Sequence, residues 1–331
     1  MDNINLKPKT AFIDKAKGVL QDPFKRKIFF NSVKGILLNV LKAAILVGVS
    51  YVILAPVIGM FANSISSNND AYNPMVFIIP RYPTLERYQK AILRLDYWNT
   101  LWKTIVYTVS VTLVQLLVCS MVGYGFARFQ FPLKKLWFGC VVVMIVIPTQ
   151  AIMVPLYMTF RSIDIFGIGQ ALTSTPGLNG TVIPVYILSI FGCGLRSGLF
   201  IYIFNQFFRG LPKEIEEAAF VDGAGMFYTY FRIMLVNAMP AVITVTVFSF
   251  VWQFNDTFYA KLFLIPDTIV ISKRLASLQG IIANEDNVLS ITIQELYRDA
   301  GAILVILPVV IVYLILQKNF IEGVERSGIV G

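Results

Sequence analysis

The sequence predicts an all-α integral membrane protein with about six transmembrane helices. Of its 331 residues, 56% are hydrophobic and only 14% are charged, whereas a soluble domain has about 45–50% apolar and about 25% charged residues. The apolar residues also occur in blocks of roughly 20 residues, the length that a helix needs to cross a bilayer. These observations exclude an ordinary soluble protein and predict that the chain lies in a lipid bilayer.

Six apolar blocks predict the spanning helices, and the polar stretches between them predict the loops. The fourth block lies inside a longer segment that has room for a shallow re-entrant piece. The spans are expected at about 40–62, 102–126, 136–160, within 181–208, 231–252 and 301–317. The corresponding regions are a basic tail (1–35), a first helix (36–63), an extracytoplasmic loop (64–99), a core of five helices (100–320) and a C-terminal tail (321–331).

The distribution of Lys and Arg predicts which loops face the cytoplasm. The N-terminal tail, the loops 128–135 and 209–232 and the C-terminal tail together carry 16 basic residues, against 9 in the other loops. Because basic loops stay in the cytoplasm, both termini and the loop 209–232 are expected there. Eight of the 28 basic residues lie in the first 35 positions, so the net charge of +9 indicates orientation in the membrane and no nucleic-acid partner.

No metal site, cofactor or catalytic residue is expected. The chain has no histidine, and Cys119, Cys140 and Cys193 lie inside apolar blocks without the spacing of metal ligands. It also lacks the G-x-x-x-x-G-K-[ST] phosphate loop. The chain is therefore not expected to be an enzyme, and any ATP that drives it must be hydrolysed by another polypeptide.

The most informative segment is 211–240, LPKEIEEAAFVDGAGMFYTYFRIMLVNAMP, a charged stretch between two apolar ones. Pro212 suits the first turn of a helix, and the glutamates that follow it favour a helix start because of the helix dipole. Asp222-Gly223 is a turn signal, since glycine readily adopts the left-handed conformation that ends a helix. The segment predicts a short helix, a sharp turn and a second helix entering the fifth span. The pattern is also compatible with an amphipathic interfacial loop that has no partner.

Glu217-Ala218-Ala219 is followed after three residues by Gly223 and after nine more by Ile233-x-Leu235. This spacing resembles the EAA loop, the cytoplasmic coupling loop in the membrane subunits of ATP-driven importers that use a soluble substrate-binding protein. Val236 departs from the family pattern, which usually has proline there, and Pro240 follows instead.

Other parts of the chain resemble sugar-importing members of the same family, in order along the sequence. They are Tyr82-Pro83-Thr84-Leu85-Glu86-Arg87-Tyr88, Asn99-Thr100-Leu101, Gly123-Tyr124-Gly125-Phe126-Ala127-Arg128, Pro148 with Pro155-Leu156-Tyr157, and Phe250-x-Trp252 with Asn255-Asp256. The resemblance covers about 80–320, and the chain is similar to the shorter, maltose-type permease subunit of this family.

The resemblance implies a type I ABC importer permease fold, MetI-like, in a bacterial cell (inner or plasma) membrane. It implies three kinds of partner: a second permease subunit, two copies of a cytoplasmic ATPase and an extracytoplasmic solute-binding protein. It also implies that the loop 209–232 docks on the ATPase, with Glu217 making a polar or ionic contact and Gly223 setting the turn. The residues assigned to this coupling surface are Glu214, Glu217, Ala218, Ala219, Asp222 and Gly223.

Polar and aromatic residues at membrane depth are candidates for the translocation pathway. The candidates are Arg196, Asn205, Gln206, Trp252, Asn255 and Asp256. The arginine faces an aqueous path, snorkels to an interface or lies in a shallow re-entrant piece. The two amides either line the path or join neighbouring helices. The tryptophan with its two polar neighbours suits a sugar, whose apolar ring faces stack on aromatic rings, or else forms part of an interfacial belt.

The sequence thus predicts a transmembrane permease subunit of an ATP-driven importer of a sugar or oligosaccharide, forming half of the translocation pathway. The nearest alternative keeps this fold with a non-sugar cargo: a polyamine, amino acid, phosphate or peptide. A self-contained channel or secondary transporter is expected to carry acidic residues in its spans, and no Asp or Glu lies inside a predicted span. A purely structural membrane scaffold would leave the EAA spacing unexplained.

Overall fold

The computed structural model of the chain describes residues 23–73, 79–163, 167, 170, 171 and 177–328. Every regular element within these residues is a helix, which confirms the predicted all-α class. Residues 1–22 of the predicted basic tail and 329–331 of the predicted C-terminal tail lie outside the described residues. The chain divides into two compact units, one up to Met60 and one from Phe61 onwards.

The first unit contains most of α1, Pro23–Ser64. This helix includes the whole of the predicted first span. Its large apolar side chains are exposed, for example Val47 at 69% and Val52 at 70%. An exposed apolar helix of this length suits contact with lipid.

The second unit contains α2 to α15. They are α2 (Asn68–Ala71), α3 (Glu86–Arg94), α4 (Tyr97–Arg128), α5 (Lys134–Val146), α6 (Met153–Ser162), α7 (Ile183–Ile190), α8 (Ser197–Gly210), α9 (Glu214–Val221), α10 (Met226–Tyr228), α11 (Leu235–Asn237), α12 (Met239–Phe254), α13 (Phe258–Leu262), α14 (Ile271–Glu285) and α15 (Ile291–Gly328). A 3-10 turn, Thr149–Ile152, precedes α6, and a π-helical turn, Thr229–Met234, joins α10 to α11.

Three helices among the described residues are long and apolar enough to cross a membrane: Lys34–Ile65, α4 and the part of α15 from Ile291 to Ile315. Two bent pairs add up to two further spans. The axis turns by 102° between α5 and Thr149–Ser162, and by 80° between Met226–Asn237 and α12. A proline lies at each bend: Pro148 before the 3-10 turn and Pro240 in the first turn of α12. The ring and the missing N–H of proline prevent continuation of the preceding helix.

The predicted third and fifth spans correspond to these two bent pairs. The segment 181–208, predicted to hold the fourth span with room for a re-entrant piece, contains two shorter helices, α7 and α8. The turn between them includes Gly192 at φ 68° and Arg196 at φ 59°, and a left-handed residue cannot continue a right-handed helix. The last helix begins at Ile291 and not near 301, so Asp299 lies within it.

α4 is the central helix of the second unit and packs against α7, α8 and α12. Gly123 permits the close approach of α8, since a β-carbon at this position would lie 2.6 Å from the Phe204 β-carbon. An apolar cluster that includes Phe204, Phe208 and Met234 fills the space between these helices, and Ile215 of α9 packs against it. The loop helix α9 is therefore seated on the core formed by α4 and α8.

Candidate functional site

α9 is the short helix predicted in the loop before the fifth span. Glu214, Glu216 and Glu217 all lie in its first turn, where the helix dipole favours negative charge. Pro212 lies before the N-cap residue Lys213 and is therefore outside the helix, not in its first turn as the sequence predicted. Local chemistry thus predicts the acidic first turn of α9 but not its exact first residue.

Gly223 ends α9 in the predicted left-handed conformation, at φ 83°. Its N–H donates to the Phe220 carbonyl at 3.0 Å, and the Ala224 N–H donates to the Ala219 carbonyl at 2.9 Å. These two bonds are those of a Schellman C-cap, which satisfies carbonyls that the helix end would leave unpaired. A side chain at 223 would disfavour this backbone conformation, so the sharp turn depends on glycine.

Most of the residues assigned to the coupling surface lie on one exposed face. The exposed members are Glu214, Glu217, Ala218, Asp222 and Gly223. Ala219 is buried at 4% exposure, so its small side chain packs inside the chain. Val221, 87% exposed and four residues after Glu217, adds apolar surface next to that acid, and Phe227, in α10 after the turn, is 71% exposed. An exposed apolar patch with a charged rim is typical of a site for another protein.

The opposite face of α9 carries a buried acid that the sequence does not single out. Glu216 is 8% exposed. Its carboxylate accepts a hydrogen bond from the Tyr124 hydroxyl and lies 3.2 Å from Arg128 Nε. Its spacing of three residues from Ala219 places both on one side of the helix, but that spacing alone does not identify the partners, which lie about 90 positions earlier in the chain.

The structure brings together two of the six pathway candidates. The Arg196 guanidinium carbon lies 5.6 Å from the centre of the Trp252 ring, within the range of a cation–π contact. The Trp252 ring also stacks with Phe200 at 5.7 Å and Phe248 at 5.3 Å. Arg196 is exposed and makes no ion pair with any described residue. Because α8 has 14 residues, Arg196 at its N-terminal end lies about 20 Å from its C-terminal end.

The other candidates lie apart from this pair. Asn205 is 1% exposed and donates to the Gly123 carbonyl at 3.4 Å, so it joins α8 to α4. Gln206 is exposed. Asn255 is also exposed and donates to the Val251 carbonyl at 2.9 Å within its own helix. The buried Asp256 accepts N–H bonds from Phe258 and Tyr259 at the start of α13.

A buried polar cluster next to Arg196 is also absent from the predicted site. Gln115 donates to the Leu195 carbonyl at 3.0 Å and to the Ser197 hydroxyl at 3.1 Å. Its carbonyl oxygen accepts from the Ser249 hydroxyl at 2.7 Å and from the Gln253 amide at 3.2 Å. These bonds join α4, the start of α8 and α12. Polar residues in otherwise apolar helices can be recognised in the sequence as candidates for contacts between helices. Only the structure shows that these four side chains meet.

A charged contact joins α3 to the end of α14 on the side predicted to be extracytoplasmic. Arg94 Nε and Nη2 lie 3.0 Å and 2.7 Å from the two carboxylate oxygens of Asp286. Hydrogen bonding from Arg94 lowers the pKa of Asp286 below its ordinary value. Among the described residues no group of three or more His, Cys, Asp or Glu side chains could hold a metal ion.

Comparison with known proteins identifies the family. The model of the family described as binding-protein-dependent transport system inner membrane component matches residues 115–326. A probable ABC transporter permease protein of Pyrococcus horikoshii is 28% identical over 280 residues, 84% of this chain and 92% of that protein. The trehalose transport system permease protein of Mycobacterium tuberculosis is 26% identical over 280 residues, covering 84% and 93% of the two chains.

A solved structure shows the same fold. It is described as a bacterial ABC transporter involved in the import of the acidic polysaccharide alginate. One of its chains matches with a TM-score of 0.70 at 21% identity, over 87% of this chain and 98% of that chain. The predicted type I importer permease fold and the membrane location are confirmed. The chain is a transport permease subunit and belongs to the family of binding-protein-dependent transport system inner membrane components.

Proposed function

We propose that this chain is one of two permease subunits in an ATP-driven importer of a sugar or oligosaccharide. It forms half of the translocation pathway and receives its energy from a separate cytoplasmic ATPase through α9. The trehalose permease among its relatives and the ordered sugar-permease motifs of the sequence support a carbohydrate cargo. A soluble extracytoplasmic binding protein delivers this cargo, and both termini lie in the cytoplasm with α9.

The exposed face of α9 carries this proposal. Glu214 and Glu217 of this eight-residue helix make no ion pair with any described residue. Val221, at the end of the helix, is almost fully exposed. An amphipathic surface of this kind suits either the membrane interface or a groove on another protein, and the EAA spacing from Glu217 to Gly223 favours the groove. A groove on a soluble protein accommodates both the acids and the apolar side chain, as amphipathic helices commonly dock in grooves.

The pathway begins at the Arg196–Trp252 pair. An exposed cation at membrane depth is costly unless water or a polar ligand reaches it, so this side of α8 and α12 faces an aqueous path. The Trp252 ring, stacked with Phe200 and Phe248, supports the Arg196 guanidinium at this point. The second permease completes the other wall of the path.

Co-purification of the ATPase with this chain tests the coupling assignment. Glu217→Arg and Val221→Asp are expected to reduce the recovered ATPase by about tenfold or more, which corresponds to about 1.4 kcal/mol of lost docking energy. Leu289→Asp is the matched control, because Leu289 is 86% exposed and lies in a loop predicted on the other side of the membrane. Undiminished recovery with both α9 variants would refute the docking role.

Uptake measurements test the cargo. Cells with and without the chain are given labelled trehalose, maltose, alginate oligosaccharide, spermidine, glutamine or phosphate. Chain-dependent uptake of at least one carbohydrate and of none of the other solutes is expected. If only a non-carbohydrate solute showed chain-dependent uptake, the carbohydrate assignment would be wrong and that solute would be the cargo. The proposed coupling to the ATPase would be unaffected.

A further inference from the structure

Glu216 belongs to a buried ionic contact between the coupling loop and the cytoplasmic end of α4. The Arg128 side chain is 6% exposed and that of Glu216 is 11% exposed. Arg128 Nε lies 3.2 Å from one carboxylate oxygen, and the Tyr124 hydroxyl donates to the other. One oxygen of Glu216 thus accepts a hydrogen bond from α4 and the other lies within ion-pair distance of the same helix.

Arg128 also holds the chain that leads into α9. Its Nη2 donates to the Leu211 carbonyl at 2.9 Å and approaches the Pro212 carbonyl at 3.4 Å. The segment from the end of α8 to the first turn of α9 thus contacts one guanidinium at two separate points. A single contact would act as a pivot, whereas two contacts oppose rotation of α9 about its connection to α8.

Tyr124 extends this contact into the apolar core. Its ring packs against Phe208 of α8 and Tyr230 of the π-helical turn, with centroids 5.4 Å and 5.2 Å apart. The Tyr230 hydroxyl in turn lies 2.6 Å from the Ser120 hydroxyl of α4. The residues before and after α9 therefore both contact α4, and Glu216 joins α9 itself to the same helix.

The three glutamates of α9 accordingly have different roles. Glu214 and Glu217 are exposed and form no ion pair among the described residues, so they remain available to a partner. Glu216 points into the chain and cannot meet the ATPase. A buried ion pair is costly to form, but it is more costly to leave one member unpaired, so Arg128 holds α9 firmly in place.

We propose that Glu216 is a positioning residue that, through Arg128 and Tyr124, fixes α9 to α4 as one rigid body. The proposal rests on the proposed docking of α9 on an ATPase. When the ATPase displaces α9, this contact passes the movement to α4, which packs against α7, α8 and α12. Without it, α9 moves with the ATPase while the spans remain behind.

The test measures a distance in the assembled complex of this chain, its partner permease and the ATPase. Spin labels are placed at Lys213→Cys, the residue just before α9, and at Leu117→Cys on α4, with the three native cysteines replaced by serine. The distance is compared without nucleotide and after trapping with Mg-ATP and vanadate. In the otherwise wild-type chain the two distances are expected to agree. In Glu216→Gln and in Arg128→Gln/Glu216→Gln they are expected to differ by about 3 Å or more, roughly half the 5.4 Å pitch of a helix.

The double variant separates positioning from folding, because it removes the attraction without leaving a buried charge unpaired. Lys135→Gln is the control, since it removes an exposed charge near the end of α4 and leaves the contact intact. Co-purified ATPase is measured in the same samples. A nucleotide-independent distance in both variants, with normal ATPase recovery, would overturn the positioning role and leave the docking assignment standing. Loss of ATPase from the complex in the double variant would also overturn it, because Glu216 would then contribute to docking.

Discussion

Replacement of Gly123 by alanine tests the close contact between α4 and α8. The added β-carbon would lie 2.6 Å from the Phe204 β-carbon, 3.0 Å from the Asn205 nitrogen and 3.1 Å from the Ile201 carbonyl oxygen. Ordinary contacts begin near 3.4 Å, so the shortfall at Phe204 is about 0.8 Å. Two of the three atoms belong to the backbone of α8 and cannot rotate away. The helices must therefore separate or tilt.

The expected cost follows from this geometry. Insertion of a methyl group into a packed interface costs about 1–3 kcal/mol, which is about 5–150-fold in an equilibrium constant. Alanine also favours a helix over glycine by about 1 kcal/mol, a gain that offsets part of the clash. Gly125→Ala carries the same gain, and its β-carbon meets only the Phe129 side chain at 3.9 Å. The difference between the two variants therefore isolates the clash.

Unfolding of the purified chain in mixed mild detergent and dodecyl sulfate provides the measurement. The midpoint for Gly123→Ala is expected at a lower dodecyl sulfate fraction than that for Gly125→Ala, with a difference in unfolding free energy of about 1–3 kcal/mol. Equal midpoints for the two variants would show that α4 and α8 do not approach each other at Gly123. The reasoning about their contact would then be wrong.

Two further predictions concern charged residues. Asp286→Asn is expected to lower the thermal stability of the chain at neutral pH. Arg94 lowers the pKa of Asp286 in the folded state. The stabilising effect of the Asp286 carboxylate is therefore present above about pH 4, the ordinary aspartate value, and is lost as the pH falls through the lowered pKa. A stability difference between wild type and Asp286→Asn that stays constant from neutral pH to about pH 3 would contradict this account. Arg196→Gln is expected to reduce cargo uptake by about tenfold or more, equivalent to about 1.4 kcal/mol, without changing assembly of the complex. Arg161→Gln, at an exposed position at the end of α6, is the control and is expected to leave uptake intact. Equal uptake by the two variants would show that Arg196 does not belong to the pathway.

Local sequence patterns were sufficient to predict the helix α9 and the turn at Gly223 that ends it. The acidic first turn and Gly223 act within a few residues of the backbone they shape, so the sequence pattern predicts them directly. For 181–208 the sequence predicts a span with room for a shallow re-entrant piece, but it does not locate the break between α7 and α8, because the left-handed conformation of Arg196 is not signalled by its residue type. Only its surroundings, including the buried Gln115 cluster that binds the Leu195 carbonyl, hold the chain in that turn.

The pathway candidates show the same limit. Asn205 and Asp256 have the residue types expected of a polar pathway, yet the structure uses them to join helices and to accept N–H bonds at the start of α13. Arg196 and Trp252 are 56 positions apart, and their contact depends on how α8 and α12 pack. Residue type therefore predicts which side chains could serve at membrane depth, and packing decides which of them face the same space.

The sequence by itself determined the membrane class, the order of the helices and the form of α9, because apolar length, proline and glycine act locally. The tertiary structure decided which glutamate of α9 faces inward and which residues hold it. Glu216 differs from Glu217 by one position in a helix, about 100° of rotation, and nothing in a local pattern states which side meets α4. That choice depends on Tyr124 and Arg128, which only the folded chain brings next to the loop.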